Sequence, residues 1–507
     1  MTTTELLNGF LARTKSDPDA PALRTRKGVV SYGELAALAG HAQAELTTLP
    51  PGPVAVLAKK SPEAIALVLA CLAAGRPVLL PPIDLGEVAL RELCERAGCA
   101  QVLAADAGQA EEHPDLVTRV IAGNGVGGGT GNGAAGGAGT PAEGGAGGGP
   151  PLPQPAPVTA AHTAFILTTS GSTGTPKLVP LSTGAVSAFT RWAGDAFGLG
   201  PGEVVLNYAP LNFDLCLLDI WATLRHGGCV ALVDPAVAAN PRHVGDFFAA
   251  CDVTVVQGVP MLYQLLAEGA FPAVRHVIVT GDHAPASVRA TLPDRFPNAR
   301  YYNVYGCTET NDSFWYEFDA AEATAPDPLP IGEPLPGVVA SLEPPSDPER
   351  MDAAELLVRT PFQTTGYLTA GPGTSNGRFV AGADGHTWFR TGDLVRRDPG
   401  GRLFLVGRDD FQLKVRGVRV NPEQIERVLL EHDDVVEAVV VPDGEGGDVR
   451  LTAFVRRTRT SGLSGLRLRA HCATRLPRAA IPSAIRLVEH PFPRTSTGKV
   501  DRKRIAA

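Results

Sequence analysis

The sequence predicts an α/β protein followed by a smaller α+β unit. Three observations carry this. Short apolar runs alternate with helical periodicity through the first 120 residues and again over 158–340. Short strands with turns replace that alternation over 340–405. A compact α+β pattern of about 95 residues then begins near Phe411.

In order, Tyr32–Leu35 opens a helix whose apolar positions are Leu35, Leu38, Ala42 and Leu46. Val54–Leu57 reads as a buried strand. Pro62 marks the first turn of the next helix, which runs to Ala74 and stops at Gly75. Val78–Pro82 is the next strand, and strand–helix–strand order implies parallel pairing. Later strands fall near Val204, Val230, Val253, Val277, Glu355–Val358 and Arg402–Val406. In the C-terminal unit a helix starts near Pro422, with strands over Val435–Val441 and Leu451–Val455.

Residues 123–149 hold 15 glycines in 27 positions and cannot build a core. With the Pro-rich run after it, 123–157 is expected to be a disordered insertion, spanning roughly 30 Å as a coil. The composition, 44% hydrophobic and 19% charged, is that of a soluble globular protein. The longest apolar stretch, Ala64–Ala74, is about half a membrane span. No signal peptide opens the chain, and eight scattered cysteines lack metal-ligand spacing, so a cytoplasmic location is expected. Net charge is −8, but 411–507 carries 18 Lys/Arg against 11 Asp/Glu, a local +7. Without interleaved aromatics this does not suggest nucleic acid; it suits an acidic partner.

The chemistry concentrates in four stretches. Thr169-Ser170-Gly171-Ser172-Thr173-Gly174-Thr175-Pro176-Lys177 follows a buried strand, Ala164–Leu167. Hydroxyls, glycine N–H groups and a lysine suit a polyphosphate, although Gly and Lys are not adjacent as in a Walker loop. Alone, such a loop is as well read as a surface turn. Asn303-Val304-Tyr305-Gly306-Cys307-Thr308-Glu309 offers an aromatic face, an amide and an oxygen ligand for a cation. Phe389–Leu394 presents Asp393 after a tight turn, where a carboxylate is equally read as an acceptor for two ribose hydroxyls or as a capping residue. Pro493–Arg502 carries Lys499 on a Gly-containing loop.

As an ordered set, with Ser31–Leu35 and Leu72–Val78, these stretches resemble the adenylate-forming superfamily, and within it the amino-acid adenylation domains of nonribosomal peptide synthetases. The resemblance spans nearly the whole chain. It implies a large N-terminal lobe (1–409) of parallel and mixed sheets with a distorted β-barrel-like subdomain. A small mobile lobe (410–507) follows, hinged at Asp410. It implies ATP and Mg2+, with Thr169, Ser170, Gly171, Ser172, Thr173, Gly174 and Lys177 on the β- and γ-phosphates. Tyr305, Gly306, Asn303 and Gly281 would surround adenine. Thr308 would contact the α-phosphate, Glu309 would hold magnesium, and Asp393 and Arg408 would bind ribose. Lys499 would bridge the substrate carboxylate and the α-phosphate.

Asn212-Phe213-Asp214 resembles the motif whose aspartate binds an α-amino group. The same carry-over gives Leu215, Leu218, Gln257, Val279, Gly281, Val304, Asp312 and Ser313 as pocket residues. The pattern resembles that of glycine activators, except that Asp312 and Ser313 replace bulk. Glycine is the first choice, with alanine or a small polar or amino-bearing residue next. Cys307, Cys216 and Asp282 depart from the usual Pro, Ser and Gly, and only Thr365–Leu368 remains of a longer motif; none of these removes a charged catalytic group. The expected activity is adenylation of a small amino acid, then transfer to the phosphopantetheine thiol of a separate acidic carrier protein, because no carrier or condensation domain is recognisable. An acyl-CoA or aryl-acid:CoA ligase is the alternative, and a nucleotide-binding pseudoenzyme the non-catalytic one.

Overall fold

The computed structural model describes residues 5–57, 59–82, 85–121, 152–169, 176–266, 268–325, 328–344, 353–368, 377–408, 413–415, 418–443, 449–458, 462–493 and 502–506. Ser170 to Thr175, Asp410, Lys499 and most of the expected insertion 123–157, including all of its Gly-rich part, lie outside them. The end of that stretch does not match expectation. Residues 152–157 are described: Leu152 is buried in the core, and the Ala156 N–H donates to the Ala73 carbonyl at 2.8 Å. An apolar side chain and one backbone bond fix this tail against the large lobe.

Two α/β sheets form the body of the large lobe. One has six strands in the order Arg119–Val120, Gln101–Ala104, Val54–Leu57, Val78–Leu79, Thr163–Thr169 and Lys177–Ser182; only the last pair is antiparallel. The other has nine strands. Its parallel centre runs Arg300–Cys307, His276–Thr280, Val255–Gly258, Val204–Asn207, Cys229–Leu232 and Pro21–Thr25. Antiparallel strands close it: Asn311–Phe318 and Glu333–Pro334 at one edge, Gly28–Ser31 at the other. The central strands are buried throughout, which is why they read as unbroken Val/Leu runs.

Local chemistry sets the helix boundaries. Ser31 and Glu34 form a reciprocal capping box before helix Tyr32–Leu46, with bonds of 3.2 and 2.7 Å. Ser61 caps helix Pro62–Ala73, and Pro62 fills its first turn. Ten of that helix's twelve residues are buried, so its all-round apolarity reflects a core position between layers. Among the described residues no helix is long and apolar enough to cross a membrane.

The expected barrel-like subdomain is built on a five-stranded antiparallel sheet around Thr387–Arg397, which pairs with Ala354–Arg359, Phe379–Ala381 and Leu403–Arg408. Beyond it, Val435–Asp443, Arg450–Arg457 and Ala484–Val488 form a three-stranded sheet. Helices Pro422–Leu430 and Gly465–Ala473 cover it, and Ile425, Leu429, Val440, Leu451 and Leu468 give this unit its own core.

Candidate nucleotide and amino-acid site

A cavity of 490 Å3 opens where the two lobes meet. Gly258, Gly281, Gly306, Cys307 and Thr308 line it from the carboxyl ends of three parallel strands, the usual position of a ligand crevice in an open α/β sheet. Thr168, Thr169 and Pro176 line it from the six-stranded sheet, Asp393 and Arg408 from the antiparallel sheet, and Val418, Gln424 and Ala480 from the C-terminal unit.

Thr169 and Lys177 face each other in an antiparallel ladder, so the residues between them close a loop at the cavity rim. The Thr169 hydroxyl is buried and has no hydrogen-bond partner among the described residues. A polyphosphate oxygen would satisfy it. Lys177 is buried, with Nζ 4.7 Å above the Tyr367 ring. The Tyr367 hydroxyl in turn donates to Glu309 Oε1 at 2.8 Å. Glu309 is 1% exposed, and its carbonyl accepts from the Thr364 N–H at 2.9 Å. The truncated motif ending at Leu368 is therefore a strap: Leu368 bridges to Leu178 and brings Tyr367 between the lysine and the acid.

Asp393 and Arg408 are ladder partners, and their side chains form an ion pair that is 8% and 14% exposed. The Tyr305 hydroxyl donates to Asp393 Oδ2 at 2.5 Å, the Asp393 N–H donates to Thr391 Oγ1 at 3.0 Å, and Arg408 Nη2 donates to the Thr391 carbonyl at 3.0 Å. Burial and the Asp393 carboxylate push the Tyr305 phenol well above its ordinary range, so it stays a donor. The Tyr305 ring packs edge-on against Phe314, and Asn303 Nδ2 donates to the Pro330 carbonyl at 2.8 Å. Gly281 has φ +79°, a left-handed conformation; a Cβ there would sit 3.0 Å from Val259 Cγ1.

Asp214 and Leu215 line the cavity within the turn that precedes a π-helical segment, Leu217–Ala222. Such segments often mark functional sites. Asp312 is the ladder partner of Gly306, next to Asn311, which holds a left-handed φ of 53°. Burial, reinforced by the charge of Asp214, pushes the Asp312 carboxyl up to about 8. Asp312 is not among the cavity-lining residues, and the remaining expected pocket residues lie deeper: Leu218, Gln257, Val279, Val304 and Ser313 are buried. The Ser313 hydroxyl donates to the Asn311 carbonyl at 3.1 Å, and the Gln257 amide to the Leu215 carbonyl at 3.2 Å. They support the wall from behind.

Lys60 joins the site without any sequence motif to mark it. It lines the cavity and donates to the Asn207 and Tyr208 carbonyls at 3.0 and 2.9 Å. Burial lowers its ammonium to about 8. No spacing in the sequence signals it, because its partners lie about 147 residues away.

The AMP-binding enzyme family model matches residues 10–368, and the AMP-binding enzyme C-terminal domain matches 424–499. The chain is 35% identical over 352 residues to the L-proline–[L-prolyl-carrier protein] ligase of Pseudomonas fluorescens, covering 68% of each chain. It is 28% identical to the D-alanine–D-alanyl carrier protein ligase of Bacillus licheniformis across 99% of both. Among solved structures, the amide bond synthetase McbA from Marinactinospora thermotolerans is similar with a TM-score of 0.79 at 25% identity, over 98% of this chain and 99% of that one. The chain belongs to the AMP-binding enzyme family.

Proposed function

We propose that this enzyme adenylates a small amino acid and passes the aminoacyl group to the phosphopantetheine thiol of an acidic carrier protein. The observation that carries the reading is that Asp214 lines the same cavity as the Asp393–Arg408 pair. One end offers a carboxylate to an ammonium, the other a carboxylate to ribose hydroxyls. The substrate carboxylate attacks the α-phosphate of ATP; the bond to the β-phosphate breaks, and pyrophosphate leaves. Both reactants are anions, so positioning and cationic screening are what the protein supplies.

In this reading Asp214 holds the α-ammonium and Asp393 the ribose. Lys177 and the Thr169 hydroxyl meet the β- and γ-phosphates, Thr308 the α-phosphate, and Tyr305 the adenine. Lys499 bridges the two reacting groups. The buried carboxylate of Glu309 is a hard oxygen donor that suits Mg2+, which would neutralise polyphosphate charge. The net +7 of residues 411–507 complements an acidic carrier.

Amino-acid-dependent ATP–pyrophosphate exchange tests this. Asp214→Ala should lower kcat/KM for the amino acid by on the order of a hundredfold, as expected when one member of a desolvated charge pair is truncated. Undiminished exchange, or exchange supported only by acids without an amine, would sink the reading. The second outcome would favour a CoA ligase.

The neighbouring Asp312 favours an amino-bearing side chain over glycine. Its carboxyl gains charge as pH rises through about 8, while a side-chain ammonium keeps its proton to about 10. The KM for a small diamino acid should therefore fall between about pH 6.5 and 8.5. Lys60 titrates in the same range, so the assignment comes from Asp312→Asn, which should flatten the slope. A slope that survives in that variant assigns it elsewhere.

A further inference from the structure

Behind the cavity wall lies a polar cluster that the reaction itself does not use. Asp219 is fully buried in the π-helical segment five residues beyond Asp214. Its Oδ2 accepts from Asn207 Nδ2 at 3.1 Å, and its Oδ1 accepts from Gln257 Nε2 at 3.2 Å. Asn207 ends strand Val204–Asn207, and Gln257 lies in the adjacent parallel strand Val255–Gly258. The same Gln257 nitrogen donates to the Leu215 carbonyl at 3.2 Å, and the Asp219 N–H donates to that carbonyl at 3.1 Å. One carboxylate thus ties two strands to the residue that directly follows Asp214.

Both amides are turned so that their NH2 groups face Asp219. The cost is visible: Asn207 Oδ1 and Gln257 Oε1 are buried and have no hydrogen-bond partner among the described residues. The arrangement makes sense around an acceptor-only carboxylate, which takes one donor on each oxygen. It makes little sense as a stability device, because apolar residues of similar shape commonly pack as well as a buried charge. What the carboxylate adds is direction. Through Gln257 it fixes the Leu215 carbonyl, and through Asn207 it reaches the Cys216 sulfur, which that amide also contacts at 3.4 Å. The turn bearing Asp214 is held at the residues that follow it.

We propose that Asp219 is a positioning residue for amine recognition: with Asn207 and Gln257 it orients the Asp214 turn toward the substrate ammonium. This rests on the reading that Asp214 meets the α-amine. Asp219 is not among the residues that line the cavity, so its loss should be read in amino-acid binding through the Asp214 turn and not in the ATP site.

The test is steady-state exchange with Asp219→Asn and, in case that variant fails to fold, Gln257→Met, which keeps the length of the side chain and removes its hydrogen bonds. Each should raise KM for the amino acid roughly tenfold, the scale of one lost buried hydrogen bond. KM for ATP should stay within about twofold. The preference for the amino acid over its α-hydroxy analogue should shrink by a similar factor. Variants that keep the wild-type preference and amino-acid KM overturn the proposal, as does a parallel rise in KM for ATP, which signals general damage. A wild-type enzyme with no preference for the amine would overturn the Asp214 reading itself, and this inference with it.

Discussion

Alanine at Lys499 should slow amino-acid-dependent pyrophosphate exchange by on the order of a hundredfold, about 3 kcal/mol of transition-state stabilisation. The carboxylate and the α-phosphate repel as they approach, and charge builds on the bridging oxygens as the new bond forms. A single ammonium placed between them acts most strongly at that point, so the loss should fall on kcat more than on either KM. The structure describes the chain on both sides of 494–501. Phe492 is buried and its N–H donates to Glu437 Oε2 at 3.4 Å, while Arg502 Nη2 donates to Glu426 Oε2 at 2.8 Å. The described residues on either side of Lys499 thus both bond to the small lobe. In the proposed reading the small lobe turns between the two half-reactions and would withdraw the lysine it carries. Transfer from a preformed aminoacyl-adenylate to the carrier thiol should therefore keep near-wild-type rates in Lys499→Ala. Equal loss in both half-reactions would contradict the assignment, and so would an unchanged exchange rate.

How much of this was legible follows from where each signal sits in the chain. The parallel strands were legible because full burial writes itself as Val/Leu runs, as in Val204–Leu206 and His276–Thr280. The chemistry at their carboxyl ends was legible because the motif residues are neighbours in sequence: Gly306, Cys307 and Thr308 reach the cavity together. The support behind the wall was not. Asp219 meets Gln257 across 38 residues, and Tyr367 meets Glu309 across 58. A lone aspartate inside an apolar run and a tyrosine in a shortened motif carry no periodicity that would reveal such partners. For the same reason the sequence points to Gln257 only as a pocket residue and does not show that its amide nitrogen is engaged by Leu215 and Asp219.

Asp393→Ala should produce the largest combined loss, because in the proposed site the residue would serve the nucleotide through the same two oxygens that serve the fold. Its carboxylate holds the Arg408 guanidinium and the Tyr305 hydroxyl in a place where neither is well hydrated. Removing one partner of such a pair typically costs about 3 kcal/mol or more, since the other charge stays buried. Arg408 keeps its bond to the Thr391 carbonyl, which limits the damage, so the protein should still fold with a lower melting temperature. In the proposed site the same deletion takes away the acceptor for both ribose hydroxyls, and KM for ATP should rise by on the order of a hundredfold. Asp393→Asn separates the two roles. It preserves shape and can accept from Tyr305, but it no longer neutralises Arg408 and offers one acceptor oxygen instead of two. Its melting temperature should lie between wild type and alanine, while its KM for ATP stays close to that of the alanine variant. If KM for ATP instead tracks stability through both substitutions, or does not change in either, Asp393 is a structural partner of Arg408 and the ribose contact lies elsewhere.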